Sequence, residues 1–186
     1  MSLGETALAI LVLLVAPGPT NTLLFLAGTE RGWGRSLRLI PAELAGYLTA
    51  VIPLMLVGTG LLARFPALEP AITILAAIWV AILAVRLIRP SKATLADAVV
   101  SGRLVFLTTL LNPKALIFGL VLLPGPAAPA TLAVFAVEVA VVAAGWAAAG
   151  AVLATGQSGW LLVLRRVAAV WLAVVAATLM LRGLSA

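Results

Sequence analysis

The sequence predicts an all-α membrane protein of six transmembrane helices, arranged as two inverted three-helix repeats with helices 1 and 4 broken at mid-membrane. Three observations predict it: the composition, the spacing of the apolar runs, and prolines that interrupt two of those runs. Of 186 residues, 64% are apolar and 10% charged, and the mean hydropathy is +1.24. A soluble domain carries roughly 45–50% apolar and about 25% charged residues. A body of this size has too much surface to hide such a composition from water. The solvent must be lipid.

The remaining counts exclude whole chemistries. With no Cys, disulfides, thiolate metal sites and iron–sulfur clusters are ruled out. With no His, the commonest metal ligand and the usual neutral-pH titrating group are missing. No metal site, cofactor or catalytic residue is therefore expected. The formal charge of +6 does not call for nucleic acid, because the charges sit in short connections between apolar runs, where they meet lipid headgroups and set topology.

A helix crosses the hydrocarbon core in about 20 apolar residues. The Gly/Pro-rich or charged breaks divide the chain into helices over 5–27, 36–61, 67–89, 103–123, 128–155 and 160–183. No short alternating segments of a membrane barrel occur. The first run follows Met-Ser-Leu-Gly-Glu, which lacks the basic region of a signal peptide, so it reads as a mature helix. The connections leave no room for a soluble domain: 1–186 reads as one membrane domain with halves of about 1–92 and 93–186. Arg31, Arg35, Arg38, Arg86, Arg89, Lys92, Arg103, Arg165 and Arg166 fall on one side, and only Arg64 and Arg182 on the other. This asymmetry places the first set in the cytoplasm and both termini outside. Trp33 and Trp160, beside basic connections, are expected at headgroup level.

Helix 1 carries Pro17-Gly18-Pro19-Thr20-Asn21 near its middle, and helix 4 carries Asn112-Pro113-Lys114-Ala115. Proline removes a backbone donor and clashes with the preceding turn, so both helices should break there. A broken backbone in lipid survives only when other helices cover it or a hydrated cavity borders it. Glu43 and Glu138 lie 95 residues apart in helices 2 and 5, while Pro17 and Pro113 are 96 apart. Three spans reverse the sense of the second half, so the halves would be inverted repeats, as in secondary transporters. Little else aligns between them.

Ionised groups inside a membrane usually face a partner or a cavity. Lys114, one of two lysines against ten arginines, is too deep to snorkel. Its alternatives are a site role or a salt bridge to Glu43 or Glu138 that locks the bundle. Glu43 lies about 10 Å inside helix 2 and Glu138 about 15 Å inside helix 5, at 1.5 Å per residue. An interior place is therefore expected for Glu138 first, and partial snorkelling for Glu43. Tyr47 shares a helical face with Glu43 and suits a pathway or packing equally. Thr20, Asn21 and Asn112 can satisfy freed backbone groups or bind a ligand. Gly46, Gly58, Gly60, Gly145 and Gly150 are expected to permit close packing, and Pro41 and Pro53 to kink helix 2.

At Pro17-Gly18-Pro19 and Asn112-Pro113-Lys114 the sequence resembles the LysE/RhtB-type amino-acid exporters. The resemblance continues through Arg31-Gly32-Trp33-Gly34, through Ala76-Ala77-Ile78-Trp79-Val80 to Arg86, and through Asn112 to Phe118 with Pro124 beyond. Glu138 matches an acidic residue in that family's fifth helix. The resemblance implies a multi-pass protein of the bacterial inner membrane that exports amino acids or similar small zwitterions, driven by a proton or other ion gradient. Its transport residues would be Pro17, Gly18, Pro19, Thr20, Asn21, Glu43, Tyr47, Asn112, Pro113, Lys114 and Glu138. Lys114 and the half-helix N-termini would hold a carboxylate, one acidic residue the ammonium group, and one of the two the coupling proton. Glu138 is the first choice for that proton. The alternative is a cation or metal-ion transporter or channel of the same inverted-repeat kind, which a mid-membrane lysine disfavours; a scaffold is a third. The implied partners are the bilayer, a small amino-acid-like substrate and, on small-residue faces, a second copy in a homodimer.

Overall fold

A computed structural model describes residues 2–88, 100–123, 129–154 and 160–185. Arg89, Lys92 and Pro124 lie outside the described residues, as do the side chains of Arg86, Trp160 and Arg165. Among the described residues every regular element is helical. In chain order these are α1 (Leu3–Val15), α2 (Pro19–Arg31), α3 (Trp33–Gly58, continued by a short helix over Thr59–Arg64), α4 (Leu68–Ile88), α5 (Gly102–Leu110), α6 (Lys114–Leu122), α7 (Pro129–Leu153) and α8 (Trp160–Ser185).

Local sequence explains where they start and stop. Ser2 caps α1 by accepting from the Glu5 backbone at 3.3 Å, while the Glu5 carboxylate accepts from the Ser2 backbone at 2.8 Å. That reciprocal pair satisfies two of the helix's orphan donors. Pro17 and Pro19 end α1 and start α2 across an extended Gly18, and the two helices meet at 60°. Pro19, lacking an N–H, suits a first helical position. Gly32, at φ 76°, closes α2 in a left-handed conformation that glycine adopts without strain. Ser101 caps α5, and α5 and α6 meet at 53° around Asn112-Pro113. Both prolines of helix 2 leave a mark within α3. Pro41 follows a 3₁₀ turn over Leu37–Leu39, and Pro53 precedes a π turn over Leu54–Gly58. A second π turn spans Phe118–Leu122 in α6.

Among the described residues, three helices are long and apolar enough to cross a membrane, α3, α7 and the Arg166–Ser185 part of α8; counting each bent pair as one span gives five. The outward surface agrees: Val137, Val141, Val167, Val170, Leu181 and Leu184 are each 62–71% exposed, a surface suited to lipid rather than water. The interior is held by close packing, since apolar side chains gain nothing by leaving a hydrocarbon solvent. At the α2–α7 crossing, a Cβ on Gly28 would lie 2.0 Å from the Ala147 carbonyl oxygen, and one on Gly150 would lie 1.9 Å from that of Phe25. Gly46 and Gly58 also sit in close contacts, but Gly60 and Gly145 face open space, so the packing role expected of those two is not realised.

Candidate functional site

Two half-helix ends meet inside the bundle. Pro17 and Pro19 carry no N–H for Leu13 and Val15, and the extended Gly18 between them turns the chain away, so the Leu14 and Ala16 carbonyls also lose their helical partners. Asn21, one turn into α2, reaches back and donates to Leu14 O at 2.8 Å and to Ala16 O at 3.0 Å. The Lys114 ammonium, from the start of α6, donates to the same two oxygens, to Leu14 at 3.3 Å and to Ala16. Each carbonyl oxygen has two lone pairs, so the four bonds saturate both. Lys114 is 8% exposed. Gly18 makes its approach possible, because a Cβ there would lie 3.2 Å from Lys114 Cε and 3.4 Å from Nζ.

The second break is closed by its own chain. Asn112 N donates to Thr109 O, Ala115 N to Asn112 O and Leu116 N to Pro113 O. Asn112 Oδ1 accepts from Lys114 N at 3.1 Å. Its amide then donates to Thr20 Oγ1 at 3.2 Å and to the Tyr47 hydroxyl at 3.5 Å. Thr109 spends its proton on Val105 O at 2.8 Å, so in its 3.1 Å contact with Thr20 it accepts. A directed chain therefore runs from Asn112 through Thr20 to Thr109, joining both breaks. Gly46 lets α3 approach α5 at this level, since a Cβ on it would lie 2.8 Å from Thr109 Cβ.

Tyr47 links this polar layer to the apolar one. Its ring packs edge-on against Phe118 and Phe135, with centroids 5.5 and 5.9 Å away, and those two rings are 5.2 Å apart. Such edge-to-face pairs are favourable arrangements of the aromatic quadrupoles. One turn earlier on α3, Glu43 is 2% exposed, and its Oε2 has no hydrogen-bond partner. It lies within electrostatic reach of both Lys114 and Tyr47. The ammonium bonds to carbonyls rather than to the carboxylate, so the bundle-locking salt bridge considered for Lys114 does not form.

The structure thus gathers Gly18, Thr20, Asn21, Glu43, Tyr47, Asn112 and Lys114 at the two breaks, with Pro17, Pro19 and Pro113 shaping them. Glu138 stands apart. It is only partly buried on α7, and no hydrogen bond joins it to this network. The interior place expected first for Glu138 falls to Glu43, because Glu43 is sealed by α3's packing while Glu138 lies at the margin of α7's buried face. Sequence reasoning missed the Leu14 and Ala16 carbonyls and Thr109. Backbone acceptors carry no residue signature, but the two hydroxyls of Thr108-Thr109, just before Asn112-Pro113, were a visible polar interruption of an apolar run. Thr108 is used too, accepting from Trp79 Nε1 at 3.1 Å.

Beside the first break lies an apolar cavity of about 340 Å³, bordered by Pro17, Thr22, Phe25, Trp146, Val167, Ala168 and Trp171. Among the described residues no group of three acidic, His or Cys side chains is placed to hold a metal ion. Comparison with protein-family models, curated proteins and solved structures finds no match to this chain.

Proposed function

We propose that the protein is a secondary-active exporter of amino acids or similar small zwitterions in a bacterial inner membrane. In this reading six helices form two inverted halves, with both termini outside and a proton gradient as the driving force. The observation that carries it is the interlock at the breaks: a buried ammonium from the second half sits in the open end of a half-helix of the first, beside a buried carboxylate with an unpartnered oxygen. Discontinuous helices and intramembrane ionisable groups together are the usual construction of a transport site.

The groups suit a zwitterion. The unpartnered Glu43 oxygen would accept from the substrate's ammonium group. Its carboxylate would compete with Leu14 and Ala16 for Lys114, and it would also favour the start of α2, where no side chain caps the helix. Glu43, inside the site, takes the coupling-proton role in preference to Glu138. With no histidine in the chain, a carboxylate is the natural carrier.

Counterflow in proteoliposomes against labelled basic, neutral and acidic amino acids, with divalent ions alongside, tests the reading. Exchange of at least one amino acid, absent in Lys114→Ala protein that is inserted normally, is expected. Exchange of ions alone would replace this reading with the cation-transporter one.

A further inference from the structure

We propose that the open end of α1 is a monovalent-cation site, built from the Leu14 and Ala16 carbonyls with Glu43 nearby, and that Lys114 fills it as a tethered ammonium. The role this gives Lys114 in coupling rests on the exporter reading; the site itself does not.

Three features of the α1 end define the site. First, the chain leaves the helix at Ala16 and passes through an extended Gly18, so Leu14 O and Ala16 O lose the Gly18 and Thr20 N–H groups that a continuous helix would give them and converge at the negative end of a half-helix. Half-helix C-termini of this kind coordinate alkali ions in transporters. Second, among the described residues the side-chain donors reaching Leu14 O and Ala16 O are one neutral amide, Asn21, and one cation, Lys114. Third, Glu43 is 2% exposed, lies within electrostatic reach of the ammonium, and keeps Oε2 without a hydrogen-bond partner. Two bonds use two of the three ammonium protons, leaving one free. Oxygen donors are the usual ligands of small, hard cations.

Tethering explains why no dissolved ion is needed. An ammonium on its own side chain binds within the molecule and does not give up the translational freedom that a dissolved ion loses. The wild type is therefore expected to be indifferent to which monovalent cation surrounds it, while removal of the lysine opens the cradle to outside cations.

The experiment compares thermal unfolding of the full-length wild type and Lys114→Ala in detergent, followed by tryptophan fluorescence, in equal concentrations of sodium, methylammonium and choline chloride. The variant is expected to unfold roughly 5 °C lower in choline, the effect of leaving buried carbonyls short of donors. Sodium or methylammonium should restore at least half of that difference along a saturating curve, and choline, bulky and without N–H donors, should not. Recovery with methylammonium alone means the cradle selects for directional donors; recovery with sodium alone means it selects for a bare ion. Identical unfolding of the variant in all three salts overturns the proposal. If the variant is recovered only as aggregate, it is solubilised in each salt instead. Monodisperse protein in sodium or methylammonium but not in choline supports the proposal, and aggregate in every salt overturns it. Salt-blind unfolding alongside measured amino-acid export would remove the cation site alone. Cation-dependent unfolding with no amino-acid exchange would remove the exporter reading and leave the site.

Discussion

The two helix breaks bend by similar angles, 60° and 53°, yet are opposite in hydrogen-bonding character. The first contains two prolines and is short of donors, so it draws on Asn21 from its own far side and on Lys114 from the other half of the chain. The second contains one proline, closes local backbone bonds with its own neighbouring residues, and has an Asn112 amide left over to give away. A bend alone therefore does not define a site. What matters is which break depends on a remote partner, because only that one can open by losing a side-chain contact.

The largest test of this asymmetry is Lys114→Met, which keeps the volume and removes the remote donor. Export is expected to fall at least about 100-fold, equivalent to roughly 2.7 kcal/mol, with membrane insertion unchanged; near-normal efflux would make the two breaks equivalent. Next comes Glu43→Gln against Glu138→Gln. Only the first should uncouple efflux from an imposed pH gradient, and the reverse order would move the functional carboxylate away from the breaks. Asn21→Ala should destabilise the fold by about 1–3 kcal/mol, the cost of buried acceptors losing partners, read as a lowered unfolding midpoint. The smallest effect is expected for Thr109→Val, about 1 kcal/mol for one lost hydrogen bond, with export retained. A loss there matching that of Asn21→Ala would mean the second break is no more self-sufficient than the first.

Much of this was legible in the sequence. Pro17, Pro19 and Pro113 placed both bends because proline acts on the backbone locally, whatever surrounds it. The helix limits expected from the Gly/Pro-rich and charged breaks lie within about four residues of those observed. The capping pair of Ser2 and Glu5, an equally local signal that sequence reasoning missed, starts α1 at Leu3 rather than at 5. Burial of the charges was not legible. Counting residues from a helix end gives distance along an axis but not the face presented, so it did not show that Glu43 is the more enclosed of the two carboxyl groups. The partners of Lys114 were hidden for a different reason: its acceptors are main-chain oxygens 98 and 100 residues away, exposed by prolines rather than announced by a side chain. Gly60 and Gly145 failed as packing sites because a small residue permits a close neighbour without supplying one.

The crossing of α2 and α7 has a mechanical consequence. With Gly28 and Gly150 there, main chain bears directly on main chain, and no flexible side chain lies between to absorb a shift. Any swing of α2 about the first break must turn α7 with it, as a key turns a bolt. α2 and α7 would move as one rigid lever whose fulcrum is Pro17-Gly18-Pro19.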